Sequence, residues 1–244
     1  MPILETREVT VRFGGHMAVD AVDLSVDEGA ITGLIGPNGA GKTTTFNVIT
    51  GLQPPTRGKV LLDGSDITRL SAHRRAREGI ARTFQRLELF GSLTVLENVL
   101  VASELNKVDG QDPRVAAQAL VDRVGLGDDA HKRADSLSTG SARLVELARA
   151  LACRPRVLLL DEPASGLDDA ETDRFADILS ALAADGLAIL LVEHDVPLVM
   201  RLCSSITVLD FGSVIAAGTP DQIQHDQAVI DAYLGQGTDV GEAV

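Results

Sequence analysis

A glycine-rich segment restricts the fold of this chain more than any other feature. Residues 36–43 read Gly-Pro-Asn-Gly-Ala-Gly-Lys-Thr. They follow the apolar run 30–35, which predicts a buried strand, and they precede a predicted helix over about 43–50 that ends at Gly51. The pattern G-x-x-x-x-G-K-[ST] between a strand and a helix is typical of a phosphate-binding loop. The sequence therefore predicts an α/β domain organised around this loop.

The chemistry of a phosphate site accounts for the residue types in the loop. Glycines let backbone N–H groups converge on phosphate oxygens, and the start of the following helix adds partial positive charge. The ammonium group of Lys42 can reach the β and γ phosphates of a nucleoside triphosphate, and the hydroxyl of Thr43 can bind Mg²⁺. The alternative is an ordinary glycine turn before a helix. We expect ATP to contact Gly36, Pro37, Asn38, Gly39, Ala40, Gly41, Lys42, Thr43 and Thr44.

The composition limits the classes of partner. The chain has 244 residues, 45% of them hydrophobic, which suits one large domain or one domain with an inserted lobe. Its net charge of -13 repels the phosphate backbone of nucleic acids, so we expect no nucleic-acid partner. Aromatic residues make up only 3%, with no Trp, which argues against a base-stacking surface.

Cysteine usage and hydropathy indicate the environment of the chain. Cys153 and Cys203 lie far apart and have no metal-ligand spacing, so we expect two core residues in a reducing compartment. The first residues have no basic segment followed by an apolar stretch, so we expect no signal peptide. The longest apolar runs, 157–160 and 187–192, are too short to span a bilayer, so we expect a soluble chain that can still dock on a membrane protein.

Periodicity predicts an α/β frame with an inserted helical region. Residues 3–13 and 20–35 alternate or run apolar and are predicted strands. The pattern becomes helical over about 84–153, where the candidate helices are 93–102, 113–124 and 140–152. In the last candidate the apolar residues share one face, opposite polar residues that include Arg143 and Glu146.

The apolar runs 157–160 and 187–192 are near-continuous, and a helical stretch follows each. This is the pattern of parallel strands that are covered on both faces. Two further strands are predicted near 205–209 and 213–217. An amphipathic segment over 228–234 precedes a Gly-rich polar terminus that we expect to be frayed.

Two carboxylates, Asp161 and Glu162, directly follow the run 157–160. Side chains at the C-terminal end of a buried parallel strand point into the crevice where ligands bind. Asp161 can therefore hold Mg²⁺ directly or through water, and Glu162 can orient and deprotonate an attacking water. The alternative is a strand that simply exits into a loop. The phosphate loop in the same chain favours the catalytic interpretation.

Further short motifs follow in order along the chain. They are Gln85 after Arg82-Thr83-Phe84, residues 137–141 (Leu-Ser-Thr-Gly-Ser), residues 165–168 (Ser-Gly-Leu-Asp) and His194 after Val192-Glu193. With the phosphate loop and the acidic pair, these motifs make the chain similar to the ATPase subunit of an ATP-binding cassette (ABC) transporter. The resemblance covers about residues 4–234.

The resemblance implies a catalytic set and a metal site. Gln85 corresponds to the Q-loop glutamine of the family, and His194 corresponds to its switch histidine, which holds the attacking water near the γ phosphate. With Glu162 they form the expected catalytic residues. Thr43, Gln85 and Asp161 are the expected Mg²⁺ ligands.

Three other positions take their expected roles from the same resemblance. Phe13 stands where an aromatic ring stacks on adenine. Ser165 and Asp168 belong to the segment that the family calls the D-loop.

The segment 137–141 stands where the family carries its signature, usually Leu-Ser-Gly-Gly-Gln. The resemblance implies a head-to-tail dimer, with ATP between the phosphate loop of one copy and Ser138, Thr139, Gly140 and Ser141 of the other. Ser138 can cap a helix that starts near Gly140 and directs a second helix N-terminus at the γ phosphate. Thr139 and Ser141 depart from the family pattern, so contacts through residue 141 and the choice between homodimer and heterodimer stay open.

The resemblance also implies the architecture and the partners. The expected fold is a P-loop NTPase core with a mostly parallel sheet, an N-terminal antiparallel β-subdomain and an inserted α-helical subdomain. We expect one domain over 1–244, with a core of 1–85 and 155–220, a helical part of 86–154, and a C-terminal helix and tail of 221–244. The expected partners are integral membrane permease subunits and an extracytoplasmic solute-binding protein. The expected location is the cytoplasmic face of the cell membrane.

Two segments indicate a branch of the family. Residues 82–102 and 218–235, the latter with Gly-Thr-Pro and Val-Ile-Asp-Ala-Tyr-Leu-Gly, resemble the ATPases of branched-chain amino-acid importers. ATPases of lipopolysaccharide export and of urea-type importers are alternatives. A cassette ATPase that acts on DNA or the ribosome is another class, but the short spacing from Gln85 to Leu137 has no heptad run. A regulator that binds nucleotide without hydrolysis is a third.

Overall fold

Strands and helices alternate along the computed structural model, which describes residues 2–107 and 109–234. The strands are β1 (Pro2–Phe13), β2 (His16–Asp27), β3 (Ile31–Ile35), β4 (Arg57–Leu62), β5 (Ser65–Asp66), β6 (Ile80–Arg82), β7 (Val157–Asp161), β8 (Ala188–Val192), β9 (Ser205–Asp210) and β10 (Ser213–Gly218). The helices are α1 (Lys42–Thr50), α2 (Ala72–Arg77), α3 (Val95–Leu105), α4 (Pro113–Arg123), α5 (Thr139–Ala152), α6 (Asp169–Ala184), α7 (Val196–Leu202), α8 (Pro220–Gln224) and α9 (Gln227–Leu234).

The larger sheet has six strands in the order β10-β9-β3-β8-β7-β6. All neighbours pair in parallel except β10, which runs antiparallel to β9. Every residue of β3, β7 and β8 is buried, which is the burial expected of parallel strands with both faces covered. The carboxyl ends of these three strands lie at one edge, so the residues that follow them converge there.

The smaller sheet is antiparallel, with the order β2-β1-β4-β5. It contributes Val9, Val11, Val19 and Val22, all fully buried, to a hydrophobic cluster shared with Phe46 of α1. The predicted α/β class, with a mostly parallel sheet and an N-terminal antiparallel sheet, is confirmed.

Three packed helices, α3, α4 and α5, lie between β6 and β7 in sequence. A capping box of Thr94 and Glu97 begins α3, so this helix starts at Val95 rather than at the predicted residue 93. Their apolar faces join the cluster that contains Leu158 and Leu160 of β7, so the helices and the larger sheet share one core. The division into 1–85, 86–154, 155–220 and 221–244 stays a prediction.

One side of α5 carries polar residues, and two of them are buried. Arg143 and Glu146 are 6% and 8% exposed. They are buried because the segment after β6 packs over this side of the helix. The short elements α2 and β6 were not predicted, since six and three residues carry too little periodicity.

Three other expectations concern the cysteines, the membrane and the terminus. Cys203 is buried and Cys153 is half-buried, and both are free thiols. Among residues 2–107 and 109–234, no helix is long and apolar enough to cross a bilayer. The predicted frayed terminus after Leu234 lies outside the described residues.

Candidate functional site

The phosphate loop connects β3 to α1, and its backbone conformation requires glycine at two places. Gly36 has φ of 147°, and a Cβ there would lie 2.0 Å from the carbonyl oxygen of Leu209. Gly41 has φ of 104°, and its Cβ would lie 2.7 Å from the carbonyl oxygen of Ala18. No side chain among the described residues caps α1, so its first N–H groups are free to bind an anion.

Lys42 is the first residue of α1 and lies within the loop that it serves. Its side chain donates to the carbonyl oxygens of Gly36 at 2.6 Å and Pro37 at 2.9 Å. Burial lowers the pKa of Lys42, while the charges of Glu162 and Asp161 act in the opposite direction. Among the described residues, the ammonium group donates hydrogen bonds to carbonyl oxygens alone, and phosphate oxygens can replace these.

A cleft of about 330 Å³ lies over the loop, a volume within the range of small-molecule sites. Half of the surface of Phe13 is exposed at this cleft. The cleft is lined by Phe13, His16, Ala18, Asn38, Gly39, Ala40, Gly41, Lys42, Thr43, Thr44, Glu162 and His194. The structure thus brings the phosphate loop, the aromatic residue and two predicted catalytic residues to one place, and His16 is a neighbour that the sequence did not indicate.

Three predicted catalytic side chains meet at Glu162. Its Oε2 accepts from Gln85 Nε2 at 2.6 Å, and its Oε1 lies 2.5 Å from His194 Nε2. The Glu162 backbone has φ of 50° and donates its N–H to the carbonyl of Val192 at 2.8 Å. This left-handed conformation turns the side chain out of the strand direction and toward the cleft.

The candidate metal ligands provide oxygen atoms of the kind that Mg²⁺ prefers. Asp161, the last residue of β7, is 6% exposed and supplies a carboxylate, while Thr43 supplies a hydroxyl. Within the described ranges there is no cluster of three or more His, Cys, Asp or Glu side chains suited to a metal. Mg²⁺ is commonly held by one or two carboxylates together with substrate phosphates, so this sparse donor set fits the ion.

The signature segment lies apart from this cleft. Ser138 Oγ accepts from the backbone N–H of Ser141 at 3.2 Å, which confirms that Ser138 caps α5. None of residues 138–141 lines the cleft. The D-loop lies beside the signature, since a Cβ at Gly166 would be 3.5 Å from Thr139 Cγ2, and Asp168 caps α6.

The buried polar face of α5 holds the Q-loop backbone. Arg143 donates to the carbonyl oxygens of Phe84 at 3.2 Å and Gln85 at 2.7 Å. Glu146 accepts from the backbone N–H of Glu88 at 2.9 Å and pairs with Arg143. Burial raises the pKa of Glu146, against the effect of these donors. The helix that carries the signature is therefore tied directly to the segment that carries Gln85.

Sequence reasoning gave no role to three residues that support the site. Glu193, 5% exposed, accepts from the backbone N–H groups of Ala164 at 2.7 Å and His194 at 3.2 Å, and burial raises its pKa. Arg82 donates to Asp161. Burial raises the pKa of Tyr233, which also takes a hydrogen bond from the Gly36 backbone. The only sequence signal for the first two was a charge close to a motif residue, since Glu193 directly precedes His194 and Arg82 lies three residues before Gln85.

The fold and the site define an ATP-binding cassette ATPase. The family model described as ABC transporter matches residues 19–165, and the model described as branched-chain amino acid ATP-binding cassette transporter matches residues 213–239. The chain belongs to the ABC transporter family, as an ATP-binding and ATP-hydrolysing subunit.

Relatives and solved structures agree with this membership. The chain is 41% identical to the high-affinity branched-chain amino acid transport ATP-binding protein BraF of Pseudomonas aeruginosa, over 96% of this chain and 98% of BraF. It is 37% identical to the lipopolysaccharide export system ATP-binding protein LptB of Haemophilus influenzae, over 97% of this chain and 98% of LptB. The ADP conformation of MJ1267, an ATP-binding cassette of an ABC transporter, matches with a TM-score of 0.89 at 30% identity. The match covers 96% of this chain and 99% of MJ1267. The dimeric bacterial cassette MJ0796 matches with a TM-score of 0.80 at 28% identity, over 89% of this chain and 98% of the MJ0796 chain.

Proposed function

We propose that this chain uses ATP and Mg²⁺ to power the import of branched-chain amino acids or related small solutes. The observation that carries the catalytic part is the meeting of Glu162 with Gln85 and His194 beside the phosphate loop. The similarity to BraF and the match of residues 213–239 support the solute class.

The proposed residue roles follow from the geometry of the cleft. The N–H groups of the loop and Lys42 bind the β and γ phosphates. Glu162 accepts a proton from the attacking water, and His194 and Gln85 hold that water beside the γ phosphate. Thr43 and Asp161, with the Gln85 amide, would hold Mg²⁺, which would offset the negative charge that develops on the phosphate oxygens.

A second copy or a homologous subunit completes the proposed site. The cleft contains no signature residue, and the N-terminus of α5 lies outside it. One chain does not place both helix N-termini on one γ phosphate, so Ser138 and Gly140 come from the partner. The dimeric structure of MJ0796 supports the pairing of two cassettes, and the proposed site can form in a homodimer or in a heterodimer.

An apolar groove supports the proposed pairing with permease subunits. Phe84, Phe90, Val101 and Leu105 are 42%, 47%, 38% and 82% exposed along a groove of about 320 Å³ between the Q-loop, α3 and α5. Clustered large apolar side chains at a surface are typical of a protein contact. We propose a permease subunit as the occupant of this groove and the cytoplasmic membrane face as the location of the chain. An extracytoplasmic solute-binding protein completes the proposed importer.

The test is reconstitution with the native permease subunits. They are isolated by pull-down from the source cells and placed in proteoliposomes with this chain and the co-isolated binding protein. ATP-driven uptake of radiolabelled leucine, isoleucine or valine is expected. Uptake of urea alone, or ATP-driven release of lipopolysaccharide without uptake, would assign the chain to another branch. Absence of phosphate release in the full complex would favour a nucleotide-binding regulator.

A further inference from the structure

Arg82 joins three parts of the nucleotide site. It is the last residue of β6, and its side chain is only 7% exposed. Its Nη2 donates to Asp161 Oδ2 at 2.7 Å, and its Nη1 donates to Asn47 Oδ1 at 2.6 Å. A single guanidinium therefore connects the end of β7 with the helix that follows the phosphate loop.

Two aromatic rings lie close to the same guanidinium. Its central carbon lies 5.4 Å from the ring centroid of Phe46 and 5.0 Å from that of Phe84, distances at which cation–π attraction acts. Nε has no hydrogen-bond partner within the described part of the chain, so the two Nη groups and the two rings set the orientation. Phe84 directly precedes Gln85, so Arg82 also contacts the Q-loop.

Stability alone does not explain the buried guanidinium of Arg82 and its ion pair with Asp161. Burying an ion pair removes both ions from water, and the attraction between them often only balances that cost. Apolar residues of similar volume would pack against Phe46 and Phe84 at least as well. What they would not do is fix the direction of the Asp161 carboxylate.

We propose that Arg82 is a positioning residue that presets the Asp161 carboxylate for Mg²⁺ and links it to the Q-loop, an inference that rests on the proposed Mg²⁺ and ATP site. Holding Oδ2 fixes the rotamer of Asp161, and with it the direction of its other oxygen. A carboxylate has about four lone-pair sites, so it accepts from Arg82 and binds a metal at the same time. The cation–π contact with Phe84 couples movement of the Gln85 segment to the same carboxylate.

Arginine is the side chain that meets all four contacts. Its planar guanidinium offers two faces for stacking and a fork of donors, whereas an ammonium group is a compact point charge. Lys at this position can pair with Asp161 but cannot also bind Asn47 and keep the contacts with both rings. The conservative change therefore restores part of the function, which separates positioning from a simple need for charge.

The experiment measures the coupling between metal and nucleotide rather than turnover. A fluorescent, non-hydrolysable ATP analogue is titrated in EDTA and again with saturating Mn²⁺, which shares the preference of Mg²⁺ for oxygen ligands. The Kd in EDTA divided by the Kd in Mn²⁺ gives the factor by which the metal tightens nucleotide binding. For Arg82→Met we expect this ratio to fall about 10- to 100-fold, the usual loss when a partner of a metal ligand is removed. The Kd in EDTA should change little.

Three further variants keep the result interpretable. Arg82→Lys and Asn47→Ala, which leaves the Arg82–Asp161 pair in place, should give intermediate ratios. Arg156→Met removes an arginine from an exposed pair with Asp63 and should match the wild type. Thermal unfolding checks each variant, and if Arg82→Met does not fold, the Lys and Asn47 variants carry the test.

The possible results separate the inference from the proposed function. If the wild type shows no metal-dependent tightening, the proposed Mg²⁺ site is wrong. If the wild type shows it and folded Arg82 variants show the same ratio, only the positioning role of Arg82 is overturned. An equal loss of binding in EDTA and in Mn²⁺ would make Arg82 a structural residue.

Discussion

The hydroxyl of Ser138 donates to Glu171 Oε1 at 3.2 Å, so a carboxylate of α6 lies at the start of α5. A Cβ at Gly140 would lie 2.4 Å from Glu171 Cδ, so a larger residue there would require the Glu171 side chain to move. In the proposed dimer this helix end receives the γ phosphate of the ATP bound to the partner. The Glu171 carboxylate and that phosphate would therefore repel each other.

Glu171→Gln should tighten ATP-dependent dimerisation about fivefold, because an exposed charge interaction is worth up to about 1 kcal/mol. Glutamine keeps the capping box with Asp168, so α6 should still start correctly. The dimer Kd is measured by analytical ultracentrifugation with ATP in a Glu162→Gln background. The neighbouring exposed acid provides the control, Asp169→Asn. Equal Kd values for the two substitutions would show that Glu171 does not oppose closure.

Glu162→Gln should still bind ATP, but its rate of ATP hydrolysis should fall roughly 10²- to 10⁴-fold, because the proposed proton acceptor is removed while the phosphate loop is untouched. Longer-lived dimers should follow, since the bound ATP is not consumed. Phosphate release in the full complex and nucleotide titration measure the two effects, with the exposed Glu78→Gln as the matched control. Turnover equal to that of the wild type would remove Glu162 from the catalytic role.

Glu193→Gln should gain stability relative to the wild type as pH rises. Burial raises the pKa of Glu193 above its ordinary value of 4.5, although the N–H groups of Ala164 and His194 act against the shift. Between 4.5 and the raised pKa, the unfolded wild type has lost the proton that the folded protein keeps, so its free energy of unfolding falls with rising pH. Glutamine has no such proton.

From pH 4.5 upward, the free energy of unfolding of the glutamine variant should therefore rise relative to that of the wild type. Urea denaturation across the pH range in which both proteins stay soluble measures both values. A difference that does not change with pH would contradict the raised pKa. The same variant tests function, because an amide accepts only one of the two backbone N–H bonds well. Slower hydrolysis with normal ATP binding would indicate that Glu193 is a positioning residue that orients His194.

Leu105→Asp should weaken association with the permease and leave ATP binding by the isolated subunit intact. Leu105 is 82% exposed at the proposed groove, so a charge there disrupts an apolar contact but no buried packing. Val115→Asp, at a 67% exposed position on α4, is the matched control. Co-purification and solute uptake measure the effect. If both variants bind the permease like the wild type, the groove is not the docking site.

The sequence predicted those parts of the site that local patterns specify. A strand, a glycine turn and a helix N-terminus lie within one short segment, so residues 36–43 were recognisable without tertiary information. The same holds for Asp161 and Glu162 after a continuous apolar strand, and for the cap that Ser138 places on α5. The parallel arrangement followed from continuous apolar runs separated by helices, because only strands covered on both faces need them.

Contacts between distant segments were decided by the tertiary structure alone. Arg82 is 35 residues from Asn47 and 79 from Asp161, and only the placement of β6 beside β7 brings them together. The burial of Arg143 and Glu146 does not follow from the helical periodicity, because the backbone at 84–88 supplies polar partners that no pattern within α5 reveals. The sequence by itself determined which chemical groups are present and which local structures carry them. The fold determined which of those groups touch, because a hydrogen bond or a buried ion pair depends on distance in space and not on separation along the chain.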